Sequence, residues 1–323
     1  MPKLAIAIDL GGTLARAALV DRSGKILKRA SVPTAAKIGP PVVMEQLIGL
    51  AREVSADVPR AALAGAGVSS PGPLDADRGV TYKLPTIEGF LDFPIVQTLH
   101  DALQVPVALE NDGLAAALGE WRHGAGRGRN HFVYVTVSTG IGGGIVCDGR
   151  MLRGRMGMAG HIGHMIIVRD GDVCGCGNPG CWEAYASGTS FARRARARAA
   201  GAATSLGANG AEIDARAVFA AAEKGDALAK ELVAEQADFL GIGMVSLAHL
   251  YSPELIIMGG GVASNFELLL PGILARFQRD AMPAFREIEF VRAELGENSG
   301  LIGAGMLAFD RADAAKKSEL ASD

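Results

Sequence analysis

No hydrophobic run in the sequence approaches the roughly 20 apolar residues that a membrane-spanning helix needs. No strong charge excess is present either. The net charge of -3 over 323 residues leaves no electrostatic footprint for nucleic acid or for an anionic membrane. No basic-plus-apolar leader precedes the first strand-like run, which starts at Leu4. Cysteine is scarce, at four residues, and no secretory context favours disulfides. These absences lead us to expect a soluble, cytoplasmic chain that binds neither nucleic acid nor membrane.

The length suffices for two domains and a sizeable core. Hydrophobic residues make up 49% and charged residues 21%, as in globular proteins. Glycine is abundant, at 43 residues. The glycines cluster after strand-like runs, a placement that points to backbone approaching a ligand.

The stretch from Gly160 to Glu183 is the most informative. It reads G-H-I-G-H-M-I-I-V-R-D-G-D-V-C-G-C-G-N-P-G-C-W-E. Cys174, Cys176 and Cys181 fall close together, with His161 and His164 just upstream. Three thiolates and one imidazole suit a structural zinc ion. Glycines and Pro179 allow the tight backbone that turns neighbouring sulfurs toward one ion. The spacing does not decide which histidine binds. A disulfide plus a loose thiol is the alternative.

Strand-like runs at Leu4 to Leu10 and Ala15 to Val20 flank D-L-G-G-T, the pattern of a β-hairpin. Its glycines let backbone N–H groups face a phosphate. Asp9 stands where a carboxylate could face a metal ion, and Thr13 could offer a hydroxyl. A plain hairpin turn would read similarly. The strand from Ala61 opens into S-S-P-G-P-L-D, a rigid loop around Gly72 suited to ligand contact. A strand over Val105 to Leu109 ends at Glu110-Asn111-Asp112, and a helix follows. Asp112 is therefore a catalytic carboxylate or a helix cap.

The hairpin pattern then recurs. His131 to Thr139 is strand-like, G-I-G-G-G reads as a turn, and a strand resumes at Ile145. This echo argues for an internal duplication with a phosphate-binding loop in each half. Cys147 reads as a small buried core residue. Trp182 and Tyr185 read as packing around the cysteine loop. Glu254 to Met258 is a strand that runs into Gly259-Gly260-Gly261 and a helix, a usual place for a nucleotide. The tail from Arg311 is expected to fray.

Taken together, these residues resemble the ROK family of sugar kinases and related repressors. The resemblance rests on D-L-G-G-T at 9–13, E-N-D at 110–112, S-T-G-I-G-G-G at 138–144, the G-H and C-G-C-G-N-P-G-C-W-E segment, and M-G-G-G-V at 258–262. It implies an α/β, two-lobed actin-like ATPase (ribonuclease H-like) fold with an interlobe cleft and a structural zinc loop. The lobes would be residues 1–116 and 117–297, with a helix at about 298–312 packing back on the first.

The resemblance further implies ATP-dependent phosphorylation of a hexose, most readily glucose at the 6-hydroxyl. Asp112 matches the general base. ATP and magnesium would meet Asp9, Gly11, Gly12, Thr13, Thr139, Gly140, Gly259, Gly260 and Gly261. The sugar would meet Gly72, Thr86, Asn111, Asp112, His161, His164 and Glu183. Zinc would be held by His164, Cys174, Cys176 and Cys181, in a structural role. A homodimer is also implied.

Two positions depart from the family pattern. His161 stands where the family has glutamate, and Thr86 where it has asparagine. Neutral imidazole donates on one side and accepts on the other, whereas glutamate only accepts. Other hexoses or N-acetylhexosamines (N-acetylglucosamine, N-acetylmannosamine, mannose, fructose, allose) and an inactive sugar sensor are the alternatives. Family repressors carry a DNA-binding helical domain ahead of the first glycine motif. Only eight residues precede Asp9 here, so a kinase is expected.

Overall fold

The apolar run at the start forms β1 (Leu4–Leu10), which pairs antiparallel with β2 (Leu14–Asp21). β3 (Ile26–Pro33) extends this meander. The computed structural model describes residues 3–322. Helix α1 (Pro40–Ser55) follows, with proline at its start, where the missing N–H costs nothing. It buries Val43, Met44, Leu47, Leu50, Ala51 and Val54, a single apolar stripe at helical spacing.

β4 (Leu63–Ser70) returns parallel to β1. A small hairpin, β5 (Leu74–Asp75) and β6 (Val80–Thr81), lies in the loop region that follows. Helix α2 (Ile95–Leu103) ends at Gln104, whose φ of 56° is left-handed. β7 (Val107–Asn111) therefore starts later than the expected Val105. Helix α3 (Asp112–His123) grows directly from its end. The first sheet has the order β3-β2-β1-β4-β7.

The second sheet repeats this logic. β8 (Phe132–Val137) pairs antiparallel with β9 (Ile141–Cys147), and β10 (Arg150–Met151) lies beyond β9. Helices α4 (Trp182–Ala186), α5 (Gly188–Ala199), α6 (Ala215–Glu223) and α7 (Ala227–Tyr251) come next. β11 (Leu255–Gly259) pairs parallel with β8 and with β12 (Glu289–Arg292), and α8 (Phe266–Asp280) connects the two. The order is β10-β9-β8-β11-β12. Each sheet thus has an antiparallel hairpin whose first strand continues into parallel partners.

The expected second turn is shorter than the sequence pattern indicates. Gly142, Gly143 and Gly144 lie inside β9 rather than in the turn. A Cβ on Gly143 would stand 2.4 Å from Tyr134 O and 2.5 Å from Ile162 Cδ1. Gly143 thus serves close packing on the sheet face.

The final helix α9 (Ser299–Ser322) packs on α3 and β4. A Cβ on Gly303 would meet Ala115 O at 1.7 Å, so only glycine permits this approach of α9 to α3. The helix runs well past Arg311, where fraying was expected. Near this point Arg22 donates to Asp313 at 2.8 and 2.9 Å and stacks over Phe309, which anchors the helix as far as Asp313.

By internal contacts the chain forms two units. One comprises Met1–Gly128, Met151–Gly160 and Asn298–Asp323; the other comprises Arg129–Arg150 and His161–Glu297. The sequence division at 116/117 falls within α3, which is one continuous helix. The return segment Met151–Gly160 joins the first unit through Ala76 N–H to Met156 O at 3.0 Å and Arg153 to Glu110 at 2.8 Å. Among the described residues, no helix is long and apolar enough to cross a membrane.

Candidate active site

In the first unit, the ends of β1, β4 and β7 bring together the carboxylates that the sequence singled out. Asp9 sits near the end of β1, opposite Arg16 on β2 and beside Ser69 on β4. Arg16 donates to Asp9 Oδ2 from Nη2 at 2.6 Å and from Nε at 3.0 Å. Ser69 donates to Asp9 Oδ1 at 2.8 Å. Both oxygens of Asp9 are thus engaged. Neither Arg16 nor Ser69 was singled out in the sequence. Counting strand register across the Gly-Gly-Thr turn would have found Arg16.

Gly11, Gly12 and Thr13 form the β1–β2 turn. It is anchored by Gly11 N–H to Leu14 O at 3.1 Å, and by Thr34, whose hydroxyl donates to Gly11 O at 2.7 Å. Thr86 lies against this turn. A Cβ on Gly12 would stand 2.7 Å from Thr86 Cβ. A residue expected at the sugar and one expected at the nucleotide are neighbours. Gly72 lies in the loop between β4 and β5.

Asp112 is the first residue of α3. The N-cap is Asn111, whose side chain accepts from Gly113 N–H at 3.0 Å. Such a cap stabilises a helix by about 1 kcal/mol. Asp112 Oδ1 also accepts from Gly113 N–H, at 2.8 Å. Capping therefore falls to Asn111, and the side chain of Asp112 stays open to solvent. Desolvation by surrounding protein pushes its pKa up to about 6, aided by the negative charge of Asp9 and opposed by the Gly113 and Asn111 hydrogen bonds. Solvent access screens part of this push.

Glu110, two residues earlier, is buried, with its side chain 5% exposed. Burial raises its pKa, while the Arg153 guanidinium at 2.8 Å opposes the shift. The pair ties the return segment to the end of β7, beside Asn111 and Asp112. Sequence reading missed Arg153, since 43 residues separate it from its partner.

In the second unit, the Thr139–Gly140 turn lies against Glu183. Ile141 N–H donates to Glu183 Oε2 at 2.8 Å. A Cβ on Gly140 would stand 2.4 Å from that same oxygen. The other oxygen, Oε1, lies 3.5 Å from Cys174 Sγ. Glu183 therefore links the glycine turn to the cysteine loop. The β11 glycines approach the same hairpin. A Cβ on Gly260 would stand 2.5 Å from Val137 O, while Gly259 is buried and Gly261 exposed.

His164, Cys174, Cys176 and Cys181 offer four donor atoms that all lie within 4.8 Å of one another. Cys174 Sγ is 3.7 Å from His164 Nδ1, and Cys176 Sγ is 3.6 Å from Cys181 Sγ. All three cysteines are free thiols, so the disulfide alternative is not what the chain adopts. A tight turn brings them together, with Cys174 N–H donating to Asn178 O at 2.9 Å and Gly177 N–H to Cys174 O at 2.9 Å. Burial pushes the Cys174 thiol up to about 12. The four donors match the set that a tetrahedral zinc ion takes. His161 stays outside this cluster, with its ring stacked on His164 at 6.3 Å between centroids. Trp182 is fully buried and donates to Phe239 O at 2.7 Å, and Tyr185 packs on Phe239, both as expected.

Cys147 differs from expectation. It is half-buried rather than in the core, and it faces His131 and Asp148.

Paired sheets of this topology, with glycine turns at the strand ends, define an actin-like ATPase fold. The chain matches the ROK family over residues 5–311, and it belongs to that family. It is 35% identical over 311 residues to a glucokinase of Halalkalibacterium halodurans, covering 94% of each chain. It is 34% identical over 305 residues to an N-acetylmannosamine kinase of Salmonella newport, covering 94% of this chain and 97% of that one. A crystal structure of a ROK family glucokinase from Streptomyces griseus, in complex with glucose and AMPPNP, superposes with a TM-score of 0.84 at 34% identity. That match covers 95% of this chain and 99% of the other.

Proposed function

We propose that this chain is an ATP-dependent sugar kinase that phosphorylates glucose at the 6-hydroxyl. The observation that supports it most is Asp112, an open carboxylate of raised pKa at a strand-to-helix junction beside Asp9. The relatives named glucokinase support the same reading.

A sugar hydroxyl is a poor nucleophile. Asp112 accepts its proton as the γ-phosphoryl group arrives, and a pKa raised toward neutrality makes that acceptance more effective. Asn111 holds the helix start and orients Asp112, and it also contacts the sugar. The sugar is further held by Gly72, Thr86, His161, His164 and Glu183. Backbone N–H groups of Gly11, Gly12, Thr13, Thr139, Gly140, Gly259, Gly260 and Gly261 receive the nucleotide. Magnesium, an oxygen-seeking ion, would neutralise phosphate charge when bound near Asp9, where it would have to share or replace the Arg16 guanidinium that Asp9 Oδ2 accepts from at 2.6 Å. Zinc held by His164, Cys174, Cys176 and Cys181 would fix the loop that bears Glu183 and take no part in the chemistry. The enzyme works in the cytoplasm as a homodimer.

A second substrate reading has a specific basis. His161 and Thr86 replace an acceptor and an amide, and an N-acetylmannosamine kinase is among the relatives. An N-acetylhexosamine is therefore the competing substrate. ADP release with magnesium-ATP across a panel of hexoses and N-acetylhexosamines tests both readings. Glucose is expected to give the highest kcat/KM. A higher value for N-acetylmannosamine reassigns the substrate, and no stimulation by any sugar overturns the kinase.

A further inference from the structure

A second group of metal-type donors lies at the other end of the β8–β9 hairpin, away from the Thr139–Gly140 turn. His131 immediately precedes β8, Cys147 closes β9, and Asp148 begins the turn into β10. Phe132 pairs with Val146 across the hairpin. His131 and Cys147 therefore oppose each other one step further out. The following turn is tight. Asp148 and Gly149 have φ of 51° and 64°, and Gly149 N–H donates to Asn130 O at 3.0 Å. Positive φ at both central positions is the geometry of a two-residue hairpin turn.

The side chains converge. Cys147 Sγ lies 3.9 Å from His131 Nδ1 and 3.9 Å from Asp148 Oδ2. Asp148 Oδ1 lies 3.8 Å from His131 Nε2, and Asp148 N–H points at His131 Nδ1 from 3.4 Å. One donor atom from each residue lies within 4.8 Å of the other two. The two sulfur contacts lie at the long end of hydrogen-bond range, and the Asp148 N–H bond to His131 Nδ1 is longer than the usual length of about 2.7–3.2 Å. A tetrahedral ion with bonds of about 2.0–2.3 Å would hold a nitrogen and a sulfur ligand about 3.5 Å apart. The three donors thus stand near the spacing of ligands around an ion.

We infer that His131, Cys147 and Asp148 bind a divalent transition-metal ion of the zinc class. The set is one thiolate, one imidazole and one carboxylate, with a fourth position left for water. A thiolate and an imidazole select a borderline ion over magnesium or calcium. The half-buried thiol and the exposed carboxylate give an ion direct access from solvent. None of these residues belongs to the four-donor cluster of the cysteine loop. A bound ion would clip β8, β9 and the turn together, so it would stabilise the hairpin by mass action.

Cobalt(II) is the probe, because it takes the same nitrogen, oxygen and sulfur donors as zinc. Equilibrium dialysis of the full chain with Co²⁺ gives the stoichiometry, and thiolate-to-cobalt absorption reports sulfur ligation. Wild type, Cys147→Ser and His131→Ala are compared under the same conditions. Whatever the cysteine loop takes up is common to all three. Wild type is expected to bind one more equivalent per chain than either variant, with added charge-transfer absorption. Equal uptake by wild type and either variant overturns the site. Circular dichroism confirms that each variant is folded before its uptake is compared.

Discussion

Arg16 and Asp9 face each other across the first hairpin, with Arg16 Nη2 2.6 Å from Asp9 Oδ2. The negative charge of Asp9 helps to raise the pKa of Asp112, so the cation beside it holds that effect in check. The folded protein should therefore show an acid limb in kcat/KM displaced upward from the ordinary carboxylate value of 3.8, toward about 6. Activity falls as pH drops through that limb, because the base becomes protonated. In Arg16→Met the Asp9 charge is no longer offset, and the limb moves to higher pH. A pH profile of both proteins with a coupled ADP assay checks the sign; a limb that moves down contradicts it.

Glu110 and Arg153 make a prediction about stability. Removing the cation in Arg153→Ala leaves a buried carboxylate without its partner. The expected cost at neutral pH is about 1–3 kcal/mol, the range for a buried polar group left unsatisfied. Burial already raises the Glu110 pKa in the folded state. A carboxyl whose folded pKa exceeds its unfolded value penalises folding above the folded pKa, and the penalty disappears below the unfolded one. The deficit of Arg153→Ala should therefore shrink as pH falls toward the carboxylate range. Urea melts at several pH values measure this, and a deficit that grows on acidification would speak against the pairing.

Gly12 links the first glycine turn to Thr86. In Gly12→Ala the new methyl would sit 2.7 Å from Thr86 Cβ, so the turn or the Thr86 loop must move. Overpacking of this kind costs about 1–3 kcal/mol. Because the turn is assigned to nucleotide and Thr86 to sugar, KM for both substrates should rise. Thr86→Gly in the same chain should restore part of the loss. A rise confined to one substrate would separate the two assignments.

The cysteine loop should carry one zinc ion per chain. Cys181→Ser or a strong chelator should remove it and lower Tm, and added zinc should restore the chelated wild type. Sugar KM should rise more than ATP KM, because the loop bears His164 and Glu183. Elemental analysis of the purified protein gives the zinc content directly, and a chain free of zinc with an unchanged melting curve would contradict the assignment.

Much of this was legible in the sequence because it is local. The glycine turns, the E-N-D junction and the cysteine spacing each lie within a few residues, and each folds as its own chemistry dictates. What the sequence did not show depends on distant partners. Arg153 meets Glu110 only because the segment Met151–Gly160 returns to the first unit. Gly142 to Gly144 read as a turn, yet they pair as strand within β9, where Gly143 admits Ile162. Asp112 read as a cap or a base, and Asn111 took the cap. Cys147 read as core because it follows an apolar run, but it lies at the strand end, where the turn exposes it to His131 and Asp148.

The central claim is that Asp112 removes the sugar proton. The most direct measurement is sugar-dependent ADP release by Asp112→Asn, with glucose binding measured in parallel by calorimetry. Asparagine keeps the size and cannot accept the proton. The account predicts a loss of kcat of about 10²–10⁴-fold, with glucose affinity changed little. A variant that binds glucose and turns over at near the wild-type rate would contradict it.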